Sequence, residues 1–156
     1  MLDFQDLPTD HGAYVLHLSP AQPQLIYIGR LGLQQFSVGD YVYSGSARGA
    51  GGLRARVNRH LRGSGIRHWH IDYLCAVAQV QDVFYTVTDN LLECLWSQAV
   101  ARLPQAFIPV PRFGSSDCQS GCKAHLVALA LGFNLASIQT TLSFDGTISL
   151  VQLGRS

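Results

Sequence analysis

Arg56 and His60 stand four residues apart in the tract LRARVNRHLR. A helix there puts a guanidinium and an imidazole on one face, at the border of the apolar stripe made by Leu53, Val57 and Leu61. Arg54, Arg59 and Arg62 fan out around the rest of that helix, the arrangement needed to lie along a nucleic-acid backbone. With Arg48, Arg56 and Arg67 they make six of the eleven basic residues, and no acidic residue occurs between Asp40 and Asp72. The same pattern also fits a solvated basic face. The chain carries a formal net charge of only +1, so any attraction for a polyanion is local to this stretch.

Glu93 is the sole glutamate of the sequence and falls on a helical flank beside Trp96 and Val100. A hard cation such as Mg²⁺ or Mn²⁺ prefers carboxylate oxygen and needs few protein ligands, because phosphates and waters complete its shell. Asn90, three residues earlier, offers the alternative of a capping box that employs Glu93 fully. Tyr14 and Tyr43 lie in strand-like tracts. Tyrosine, with an ordinary pKa of about 10, serves as a base at neutral pH only in a strongly positive neighbourhood, which the arginines can supply. Both residues also suit a core, each with one hydrogen bond. Cys118, Cys122 and His125, beside Asp117, have Cys-x₃-Cys-x₂-His spacing that clamps zinc if Cys75, His68 or His70 adds a fourth ligand. Buried cysteines beside an apolar helix also simply pack.

The elements that must hold these groups follow from periodicity. Gly12–Leu18 (GAYVLHL) alternates, as does Leu25–Ile28 after the break at Pro20 and Pro23, and the two read as one hairpin. Asp40–Ser46 is a third strand, with Tyr41 and Tyr43 on one face. The amphipathic Arg-rich helix follows the glycines at 49, 51 and 52. Val80–Val87 is a further strand, and a helix from Asn90 to Pro104 carries Leu92, Leu95, Trp96, Ala99, Val100 and Leu103. Beyond an irregular Pro109–Gly121 loop come an apolar helix over Lys123–Leu131 and a closing hairpin at Asp145-Gly146. These elements predict an α+β domain: a small, mainly antiparallel sheet of about three central strands flanked by helices, with an extra C-terminal helix and hairpin.

At 156 residues, 47% hydrophobic and 13% charged, the chain suits one domain spanning 1–156 and excludes disorder. The N-terminus lacks the basic and apolar regions of a secretory signal, and polar residues interrupt the uncharged stretch from Leu126 to Phe144 short of a membrane span. A cytoplasmic protein without a membrane partner is expected, its cysteines serving as thiols or metal ligands.

Gly12-Ala13-Tyr14, then Val42-Tyr43-Ser44-Gly45-Ser46-Ala47, the helix with Arg56 and His60, and a glutamate on a later helix resemble the GIY-YIG nuclease domain, over about residues 11–103 with 104–156 as an extension. The tracts IGRLG, GDYVYSGSA, GGLRARVNRHLR, HWHIDYL, EC-x-W and GSSDC resemble, more narrowly, a branch found alone or appended to base-excision endonucleases. Tyr27-Ile28-Gly29 spells the second tripeptide literally, but no arginine lies between Leu31 and Ala47, whereas Arg56 follows Tyr43 by thirteen residues. The segment from about Pro20 to Gly39 is therefore an inserted hairpin. Ala13 and Ser44 stand where the family has apolar residues.

The resemblance implies an endonuclease that hydrolyses DNA phosphodiester bonds with one divalent metal, Mg²⁺ or Mn²⁺, in repair or processing. It makes Tyr14 the tyrosine that deprotonates or orients water, Tyr43 its neighbour, Arg56 the phosphate-binding arginine and His60 the histidine one turn later. Glu93 becomes the metal ligand and His70 a further site histidine, with His68 competing. Arg48, Arg54, Arg59, Arg62 and Arg67 then bind nucleic acid. The family's late polar motif has no clear counterpart. The alternative is a non-catalytic nucleic-acid-binding module of the same fold, stabilised by zinc.

Overall fold

The computed structural model describes residues 4–62, 69–116, 118, 121–143 and 150–154. The chain forms β1 (Gly12–Ser19), β2 (Gln24–Tyr27), β3 (Leu33–Phe36), β4 (Tyr41–Ala47), α1 (Gly52–Arg62), α2 (His70–Cys75), β5 (Gln79–Val87), α3 (Glu93–Ala101), β6 (Leu126–Ala128), α4 (Leu135–Leu142) and β7 (Val151–Gly154). Five strands pair in the order β6-β4-β1-β5-β7, every pairing antiparallel. The class is α+β, as the sequence implies. The expected three strands β4, β1 and β5 are the middle of a five-stranded sheet, and the edges β6 and β7 add two more.

Both faces of the sheet are covered. Tyr14, Leu16, Leu18, Tyr41, Tyr43 and Val83 pack with Leu53 and Val57 of α1, Ile71 and Leu74 of α2, Phe36, and Phe113 from the long loop. On the other side Ala13, Val15, Val42, Phe84 and Val127 meet Trp96 and Val100 of α3 and Ile138 and Leu142 of α4. The two-residue period of the strands sorts the residues between these layers. His17, on the second side, bridges Asp82 of β5 and Asp40 before β4, both at 2.8 Å, and so ties three neighbouring segments together.

The structure corrects several expectations. Leu25–Ile28 does not pair with β1: β2 and β3 form a separate two-stranded sheet, so the segment from Pro20 to Gly39 is a self-contained hairpin. The apolar tract Lys123–Leu131 is not a helix, because its centre is β6, paired with Tyr41–Tyr43 of β4 and buried on both sides. Helix α4 comes later, where the Asn134 side chain accepts the Ala136 amide as an N-cap. Asn90 does not cap α3. Its amide bonds Thr88 Oγ1, and Leu92 occupies the cap position without a side-chain bond. The hairpin expected at Asp145-Gly146 lies outside the described residues.

Helix α1 starts against the N-terminal segment. The amides of Leu53 and Arg54 donate to the carbonyls of Asp10 and Pro8, each at 2.9 Å, satisfying donors that a helix start leaves open. Gly52 sits at φ +56 with the Thr9 and Asp10 carbonyls where a Cβ would be, so this junction admits only glycine.

Trp96 is fully buried, and its Nε1 donates to Leu142 O at 3.1 Å, joining α3 to α4. Trp96→Ala should cost about 3–5 kcal/mol, read as a lowered urea midpoint. A midpoint that does not move would show that the second layer adds little to stability.

Candidate functional site

Tyr14 lies on β1 opposite Gly45 of β4, and its ring fills the space that glycine leaves: a Cβ there would fall 2.6 Å from Tyr14 Cζ. The Tyr14 hydroxyl meets His60 Nε2 at 2.7 Å, and His60 Nδ1 meets Asp72 Oδ1 at 2.9 Å. The other carboxylate oxygen of Asp72 accepts the Trp69 amide at 3.0 Å and faces Arg59 Nη2 at 3.7 Å. A hydroxyl, an imidazole and a carboxylate thus run in series, the order that lets a neutral histidine take a hydroxyl proton while an anion holds its other nitrogen.

Desolvation governs this series. Burial raises the Tyr14 hydroxyl well above its ordinary value; Tyr43 raises it further, and the charge and hydrogen bond of Arg56 only partly offset this. Tyr43 is likewise raised, first by burial. At Tyr14 the lost solvation thus outweighs the charge of Arg56. Burial lowers His60, against the raising effect of Asp72, and so holds the ring neutral.

Arg56 is fixed on two sides. Its Nη1 donates to the Ser46 carbonyl at 2.9 Å, and its guanidinium lies 4.3 Å from the Trp69 ring centroid. Glu93 belongs to α3, on the opposite face of the sheet, yet its Oε2 accepts the Ser46 hydroxyl. Strand β6 pairs only as far as Tyr43, and the Ser44 amide still reaches His125 O at 3.0 Å. Beyond that point the edge of β4 has no partner strand among the described residues, and there groups from both layers meet. Ser46, inside a tract the sequence marked, links Arg56 to Glu93; Asp72 and Trp69 complete the site. The chemical types of these three residues gave no signal before the fold was known.

The remaining expected residues are placed as follows. Arg54 Nε donates to Leu7 O at 2.8 Å, Arg48 Nη1 donates to Asp89 O, and Arg59 lies 4.8 Å from the Trp69 ring as well as near Asp72. Arg62 is exposed at the end of α1. Arg67 and His68 lie outside the described residues. His70 Nδ1 accepts the Gly114 amide at 2.8 Å and its ring packs on Phe113, which in turn packs on Tyr43. It braces the long loop.

Cys94, Cys118, Cys122 and His125 present ligand atoms that all lie within 4.8 Å of one another, a Cys₃His cluster that can hold a metal such as zinc. Among the described residues the fourth member is Cys94 rather than Cys75 or His70. Cys75 is half-buried in α2, where desolvation and then the Asp72 charge push its thiol up to about 12. Burial lowers His125, favouring the neutral imidazole. Cys94 and Cys122 are joined as a disulfide.

A family described as "Domain of unknown function DUF123" matches residues 13–143. No curated protein and no solved structure matches. Among the described residues, no helix is long and apolar enough to cross a membrane.

Two outcomes follow from this geometry. Gly45→Ala drives a methyl into the Tyr14 ring and should cost roughly 1–3 kcal/mol in urea unfolding; an unchanged midpoint would mean the ring has room to move. Because His60 is lowered in the folded chain, the unfolded chain binds the proton first on acidification. The stability it contributes is present above about pH 6.5 and lost as the pH falls below that value. Unfolding measured from about pH 8 to about pH 5 should show this fall, and His60→Gln should reduce it. An equal fall in the variant would assign it to other groups.

Proposed function

We propose that this chain, which belongs to the DUF123 family, is a GIY-YIG-type endonuclease that hydrolyses phosphodiester bonds of DNA with the help of one divalent cation. The resemblance of its tracts to that nuclease family supports the reading. The observation that carries it is that Ser46, at the open edge of β4, is shared by Arg56 and Glu93, while Tyr14 bonds both Arg56 and His60.

In this reading Arg56, held by the Ser46 carbonyl and the Trp69 ring, binds the scissile phosphate with an orientation set in advance. Tyr14 takes a proton from the attacking water while passing its own to His60 Nε2. Asp72 keeps the His60 proton on Nδ1 and faces the imidazolium that forms. Tyr43 packs against both rings and keeps bulk water from them. Glu93, a half-buried carboxylate beside the Ser46 hydroxyl, would hold Mg²⁺ or Mn²⁺, the type of single-carboxylate site such ions take when phosphate and water fill the other positions. When bound, the ion neutralises charge developing on the phosphate oxygens. Arg48, Arg54, Arg59 and Arg62 would contact neighbouring phosphates, since a guanidinium has five donors and each described bond uses only part of that fork.

One observation favours a second reading. Tyr14 and His60 are each only 1% exposed, which suits a nucleic-acid-binding module that keeps the fold without turnover. The two differ in the metal-dependent step.

Purified protein with Mg²⁺ or Mn²⁺ should cut at least one of single-stranded, duplex, branched or damaged DNA. Arg56→Ala should lower the rate by about 10² to 10³, and Glu93→Ala should abolish metal-dependent turnover while leaving DNA retention in a gel-shift assay. Binding by the wild type with every substrate left intact would overturn the enzymatic reading and leave the module.

A further inference from the structure

We propose that Cys94, Cys118, Cys122 and His125 form a structural zinc site that clasps the long loop to the first turn of α3. Cys94 Sγ lies 3.0 Å from Cys118 Sγ and 3.4 Å from His125 Nε2, and Cys118 Sγ lies 3.6 Å from Cys122 Sγ. Tetrahedral zinc, with bonds of about 2.3 Å to sulfur and about 2.0 Å to nitrogen, holds its ligand atoms roughly 3.4–3.8 Å apart. Small side-chain movements reach that geometry once Cys94 and Cys122 are thiolates. Three thiolates and an imidazole select zinc over the hard cations proposed for Glu93. All four positions come from the protein, which makes the site closed and structural rather than catalytic.

The disulfide alone leaves two features without a reason. Cys118 is a free thiol set against both bridged sulfurs, and His125, 6% exposed, turns its Nε2 towards Cys94. Both are accounted for if the bridge is the oxidised, metal-free form of a four-ligand site. A phosphine reductant converts it: the disulfide accepts two electrons from phosphorus, which takes an oxygen from water, and the two water protons go to the sulfurs. Zinc then binds, and the three thiols release their protons to solvent.

The place of the cluster gives the metal its role. The loop is closed on itself by the Arg112 amide on Lys123 O at 2.6 Å and the His125 amide on Phe113 O at 2.8 Å, and Phe113 is fully buried against Tyr43 and Phe36. Cys94 neighbours Glu93 in the first turn of α3, a turn without a side-chain cap. Zinc joins the loop that packs on Tyr43 to the turn that carries Glu93.

Protein produced in zinc-supplemented medium and purified with a phosphine and no chelator should contain stoichiometric zinc by elemental analysis. Cys94→Ser, Cys118→Ser and Cys122→Ser should each lose it, and Cys75→Ser should keep it. Wild-type protein reconstituted with Co²⁺ should show sulfur-to-cobalt charge transfer in the near ultraviolet and the intense visible bands of tetrahedral cobalt, a reading that holds even if the serine variants do not fold. Reduced, folded wild-type protein that takes up neither ion overturns the site, as does zinc that survives Cys94→Ser. None of these readouts depends on nuclease activity.

Discussion

Every residue of β1 from Gly12 to Leu18 is buried, and the whole arrangement follows from that constraint. A strand enclosed on both faces needs a packed layer on each, so α1 and α2 are separated from α3 and α4 by the sheet itself. Side chains from opposite layers can then meet only where the sheet stops. The short β6 supplies such a place, leaving the far end of β4 open. Ser46 uses it with both its polar ends: a carbonyl toward Arg56 and a hydroxyl toward Glu93.

Within the first layer, loss of solvent decides protonation more than nearby charge does. Tyr14 and Tyr43 are held as phenols, Cys75 as a thiol and His60 as a neutral ring, each chiefly by burial, which outweighs the opposing effect of Arg56 at the tyrosines and of Asp72 at His60. The charged members, Arg56, Arg59 and Asp72, stay within reach through a carbonyl, an aromatic face and a backbone amide. The result is a neutral centre ringed by fixed charges, the setting that the proposed reading needs for an anionic substrate.

The parts legible in the sequence are those with a clear period. β1, β4 and β5 alternate or are rich in β-branched and aromatic residues; α1 and α3 repeat apolar residues at helical spacing, and the structure has all five near their expected bounds. The β6 tract, LVA inside a longer apolar run, is covered on both sides and so has no polar face to reveal a two-residue period, which is why it reads equally well as a helix. Partner choice was also hidden: nothing local told β2 to pair forward with β3 rather than back with β1. In the site, the residues with telling chemistry were visible, whereas Ser46, Asp72 and Trp69 act through positions that only the fold defines. Cys94 was hidden for a related reason, since its spacing from Cys118 belongs to no local motif and only the packing of α3 brings them together.

The outer strands are brief, three residues in β6 and four in β7. An antiparallel sheet with long bare margins offers rows of unsatisfied amides and carbonyls to any second sheet, the first step towards fibrous assembly. Among the described residues both margins of the five-stranded sheet are short, so each presents few unpaired groups to another sheet.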